Sequence, residues 1–121
     1  MSALSDLIGG AALAEAQRGS RAAEQLRAQL LLLAGSPGTV RVHTERAWAS
    51  ITFAGTNHTL QVRFEGDEVV GGEAMIAAAP EHEFTIPGQL VADVAIVDVE
   101  HRVADELLTV TVEALLLEDC S

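Results

Sequence analysis

A chain of 121 residues, 49% apolar and 21% charged, fits one globular domain large enough to bury a core without disulfide or metal staples. Its formal charge of −11 repels phosphate backbones and anionic lipid, which argues against nucleic-acid and membrane partners. The charge is uneven: residues 1–63 carry six arginines against four acids, whereas residues 64–121 carry Arg102 alone against fourteen acids.

Aromatic residues are confined to Trp48, Phe53, Phe64 and Phe84, so the core must be aliphatic. All seven basic residues are arginine, a bias expected of a GC-rich bacterial genome. The single cysteine, Cys120, excludes an internal disulfide. Its neighbours Glu118 and Asp119 disfavour a thiolate, so no catalytic role is assigned to it. "LIGGAALAEA" imitates a cleavable leader, but the preceding residues lack Lys or Arg and include Asp6. The expectation is a soluble cytoplasmic protein.

In chain order, residues 3–17 place Leu4, Leu7, Ile8, Ala11 and Ala14 on one helical stripe weakened by Gly9-Gly10. Ser20 is a candidate N-cap for a second helix. That helix carries Ala23, Leu26, Leu30 and Leu33 on one face and ends at Gly35 before Pro37. Strand signals follow in "TVRVHTE", "AWASITFAG" and "TLQVRFEG". The apolar parity switches between Val42 and Ile51, which requires either a bulge near Glu45-Arg46 or two short strands. "GTNH" reads as the hairpin turn, making His58 a turn residue, and His43 reads as exposed. "GDEVVGGEAMIAAAP" reads as a helix capped at Asp67 and stopped at Pro80, with Gly71-Gly72 permitting close approach of a neighbour. "LVADVAIVDVEH" and "LLTVTVEALLLE" form the last hairpin, with Ile96 opposite Val112 and the turn at Ala104.

The expected architecture is α+β: a four- to five-stranded antiparallel sheet in two layers, with two main helices on one face in helix–hairpin–helix–hairpin order. A marginal N-terminal helical arm at 1–19 precedes a core at 20–117, all in a single domain 1–121. In the last hairpin Val91, Ala95, Val97 and Val99 share the second face, which points to a homodimer interface.

Nucleotide, dinucleotide and common hydrolase motifs are absent. Glu81, His82 and Glu83 are candidate metal ligands if the segment is irregular. In a strand, however, His82 faces away from the two acids, so the preferred reading is a solvated elbow between Pro80 and Pro87. Further ligands would have to come from Asp98, Glu100 and His101, or from His43 and Glu45. Glu113 and Asp93, placed on one face, are candidates for acid–base work if buried. The resulting expectation is a non-catalytic cytoplasmic interaction or assembly module acting as a homo-oligomer, in the first instance a homodimer, with no cofactor, no nucleic acid and no membrane. The alternative is a small-molecule binder or small enzyme whose polar groups come from Glu113, Asp93, His82 and His101.

Overall fold

The computed structural model describes residues 21–118; the N-terminal arm, the Ser20 cap and Cys120 lie outside them. Helix α1 occupies residues 21–34. It is followed by β1 (Thr39–Ala49), β2 (Ala54–Glu65), α2 (Val69–Ala78), β3 (Gln89–Arg102) and β4 (Leu107–Glu118). The strands form one four-stranded antiparallel sheet in the order β1-β2-β4-β3. The described chain is therefore α+β, and the sheet has four strands rather than five.

Period-two alternation on the central strands sets the inward face. Leu60, Val62 and Phe64 of β2 and Leu108, Val110, Val112, Ala114 and Leu116 of β4 are almost wholly buried. They form one core with Leu26 and Leu30 of α1 and Met75 of α2. Helix α1 ends as its sequence dictates. Gly35 adopts a left-handed φ of 65°, and its N–H donates to the Leu31 carbonyl at 3.0 Å.

Helix α2 starts differently from expectation. A 3-10 turn, Gly66–Glu68, precedes it, and the Glu65 N–H donates to Glu68 Oε1 at 3.1 Å. The capping role thus falls to Glu65 and Glu68 rather than to Asp67. The paired glycines do allow close approach. A Cβ on Gly72 would lie 2.6 Å from Phe64 Cδ2 and 2.7 Å from Leu108 Cδ2. One on Gly71 would meet Ser36 Oγ and the Ala34 carbonyl.

Bulges redistribute the edge strands. On β1 the register slips between Val40 and Val42, not near Glu45-Arg46. Val40 stays beside Val62, Val42 turns to the open face opposite Gln61, and His43 turns inward opposite Leu60. On β3 the register slips between Val91 and Asp93 and again between Ile96 and Asp98. The central pairing of Ile96 with Val112 is as expected, and the turn at Val103–Asp105 contains Ala104.

The two β3 slips break up the expected second-face stripe. Val91 pairs with Leu116 and packs on the core, and Val99 pairs with Val110 on the helix side. Ala95 pairs with Glu113 on the open face, while Val97 sits within a bulge. Val91, Ala95, Val97 and Val99 therefore do not make a common face. The middle of the open face is polar instead, with Asn57, Thr59, Gln61 and Arg63 on β2 and Thr109, Thr111 and Glu113 on β4. Among the described residues no helix is long and apolar enough to cross a membrane.

Candidate metal centre

The turn of the first hairpin decides which polar residues meet. It lies at Ser50–Phe53, two residues ahead of "TNH". The Ser50 N–H donates to the Phe53 carbonyl at 2.7 Å. Ser50 Oγ accepts from the N–H of Phe53 at 3.0 Å and of Thr52 at 3.3 Å. A serine closing its own turn takes the place of the glycine and asparagine usually sought there. Consequently "GTNH" is strand, and His58 is a mid-strand residue, not a turn residue.

With this register Glu45 lies opposite His58, and His43 lies opposite Leu60. Opposed residues of an antiparallel pair point to the same face, so the β1 bulge delivers His43 and Glu45 to the inward face beside His58. His58 is 2% exposed and is the one buried polar residue among those described. Its other neighbour across the sheet is Ala114, the smallest inward residue of β4. His43 is half-buried, and Glu45 is exposed at the edge of β1, so the cluster opens to solvent at that edge.

His43 Nε2 and His58 Nδ1 are 2.9 Å apart and share a hydrogen bond, and the rings meet edge to face with centroids 5.2 Å apart. One ligand atom from each of His43, Glu45 and His58 lies within 4.8 Å of the others. Burial lowers the pKa of both histidines. For His43, the neighbouring His58 and the Arg27 guanidinium of α1 lower it further, against a smaller opposing effect of Glu45. Neutral imidazoles are the metal-binding form. Two imidazoles and a carboxylate are a donor set suited to zinc and to other divalent transition metals. Zinc–nitrogen bonds of about 2.0–2.1 Å set two nitrogens of one tetrahedral ion roughly 3.3 Å apart, so an ion would replace the hydrogen bond between the two rings.

The residues singled out from sequence stand elsewhere. Glu81, His82 and Glu83 are exposed in and after the turn Ala79–Glu81. His82 packs edge-on to Phe84 at 4.7 Å, and no metal-ligand cluster among the described residues includes any of the three. The elbow is tied down by Gln29 of α1. Its Nε2 donates to the Thr85 carbonyl at 2.6 Å, and its Oε1 accepts from the Thr85 N–H at 3.2 Å. A groove of about 450 Å³ between this elbow and β3 brings His82 and Asp93 together but includes neither Glu113 nor His101. Glu113 and Asp93 are both exposed, so the burial that their acid–base role requires is missing. His101 is exposed near the end of β3.

The residues not foreseen are His58, with the convergence of His43 and Glu45 on it, and Arg27, whose charge acts on His43. "HTE" is itself a signal, since i and i+2 on a strand share a face. Its partner is found only once the turn is placed at Ser50–Phe53. No family model, curated protein or solved structure matches the chain.

Proposed function

We propose that the protein is a metal-binding module that holds one divalent transition-metal ion, zinc foremost, through His43, His58 and Glu45. The observation that carries this reading is the convergence of three donor atoms within 4.8 Å, with one donor on a buried histidine. Two of the three ligands come from one strand and the third from the strand paired with it, so the site is preorganised by the hairpin rather than by a mobile loop. Metal analysis of purified protein supplied with zinc tests the reading: about one equivalent in the wild type, and loss in His58→Gln and His43→Gln. A wild type that takes up no zinc or cobalt overturns it.

A second reading concerns assembly. At one end of the open face Trp48, Gly55, Leu117 and Leu90 form a single row across all four strands. Trp48 is 36% and Leu90 56% exposed. This row supports a homodimer that buries the open face, in place of the Val97 and Val99 contact expected from sequence.

A further inference from the structure

Three of the seven arginines of this acidic chain line one cavity. Arg41 of β1, Arg63 of β2 and Arg102 of β3 border a hollow of about 230 Å³ on the open face, together with Gln61, Thr109 and Glu100. The strand register explains the gathering. Arg63 stands opposite Thr109, and Thr109 opposite Glu100, so these three cross the sheet in one row on one face. Arg102 pairs with Leu107, two residues further along that face. Arg41 occupies the β1 bulge between Val40 and Val42, the same irregularity that turns His43 inward. Among the described residues neither Arg41 nor Arg63 has an ion pair or a side-chain hydrogen bond. Arg102 has an exposed pair with Asp105 at 3.7 Å, a kind that contributes little. Three positive charges against the one carboxylate of Glu100 leave the cavity net positive in a molecule of charge −11. Like charges gathered across neighbouring strands destabilise a sheet unless something compensates them.

We infer that this cavity binds a single phosphate group, free or carried as a monoester on a small organic molecule. A guanidinium presents its donors as a planar fork that matches pairs of phosphate oxygens. Three forks, with Gln61 and Thr109, supply donors for every oxygen of one tetrahedral anion. The net positive charge of the lining matches a group that carries about −1.5 to −2 at pH 7. The space is smaller than the roughly 300–1,000 Å³ of sites for drug-sized ligands, which limits any ester part to a few atoms. Glu100 can accept a hydrogen bond from a hydroxyl on that part. A nucleic-acid backbone is a poorer occupant, because its neighbouring phosphates would meet carboxylates. Asp98 stands opposite Thr111 on the same face, and Asp105 flanks Arg102. The cavity is separate from the metal centre, whose ligands lie on the inward face. It is also at the other end of the open face from the Trp48–Leu90 row.

Titrating inorganic phosphate and glycerol 3-phosphate separately into metal-free protein at low ionic strength, while following the arginine side-chain Nε resonances, tests the site. The expected result is saturable shifts at Arg41, Arg63 and Arg102, with Arg46 unmoved. Tighter binding of the ester identifies a phosphorylated small molecule as the ligand class, and equal or tighter binding of inorganic phosphate identifies the free anion. Arg63→Gln should weaken binding roughly tenfold or more, and Arg63→Lys less, because lysine keeps the charge but loses the fork. Arg41→Gln, at an exposed position where the fold does not depend on the side chain, should weaken it as well, and Arg46→Gln should not. Resonances that do not saturate with either probe overturn the site, as does an affinity unchanged in both Arg63→Gln and Arg41→Gln. A single-stranded oligonucleotide that binds more tightly than either probe, and is lost in the same variants, replaces the small ligand by nucleic acid and overturns the proposal.

Discussion

His43 and His58 are a pair of weak bases packed so that protonating either one is costly. Burial lowers both pKa values below the ordinary 6.5, and at His43 the neighbouring His58 and then Arg27 add to the effect. The unfolded chain therefore takes up protons first as the pH falls. The stability that comes from keeping the pair neutral is complete above pH 6.5. It is lost on acidification between that value and the lowered folded-state values. The melting temperature of metal-free protein should accordingly fall between pH 7 and pH 5, with a slope of up to about 1.4 kcal/mol per pH unit for each proton taken up. In His58→Gln the slope should be visibly shallower. An equal slope in the variant would assign the acid sensitivity to other groups. The residue types themselves were readable: "HTE" and His58 are plain in the chain. Their meeting was not, because it depends on a serine-closed turn and a bulge at Arg41, neither of which has a strong local signature.

At the scale of elements, α2 is held by contact rather than by propensity. Its two glycines each cost about 1 kcal/mol against alanine, yet Gly72 lies directly on Phe64 and Leu108, both fully buried. Gly72→Ala should recover the propensity and still destabilise the fold by roughly 1–2 kcal/mol, because overpacking costs more than the helix gains. Val70→Ala, at a 73% exposed position of the same helix, should change stability by less than about 0.5 kcal/mol. Chemical denaturation compares the two directly, and a stabilised Gly72→Ala would show that α2 can move off the sheet. The glycine pair, the Gly35 cap and the Ile96–Val112 register all followed from local pattern. The edge strands did not, since each bulge reverses the parity beyond it, and a bulge has no side-chain signature of its own.

For the molecule as a whole, a ligand that binds only the folded state raises its stability. Zinc at 100 times its dissociation constant should add about 2.7 kcal/mol and raise the melting temperature by several degrees or more. The His43→Gln, His58→Gln double variant should show no such rise. The open face can be tested separately by mass in solution. If the Trp48–Leu90 row is a homodimer contact, the wild type should have twice the monomer mass and Leu90→Lys should halve it. A monomeric wild type would dispose of that interface while leaving the metal centre intact, because His43, Glu45 and His58 lie on the other face.

The amino-acid sequence by itself determined the α+β class, the aliphatic core, the end of α1 and the central pairing of the last hairpin. Each of these follows from short-range periodicity or from a residue whose backbone preference is strong. Which polar residues converge was decided only by the tertiary structure. Convergence depends on register summed over a whole strand, and one unpaired residue in β1 or β3 moves every side chain beyond it to the opposite face. The acidic elbow at Glu81–Glu83 thus remained a solvated corner, while a histidine assigned to a turn became the buried centre of the site.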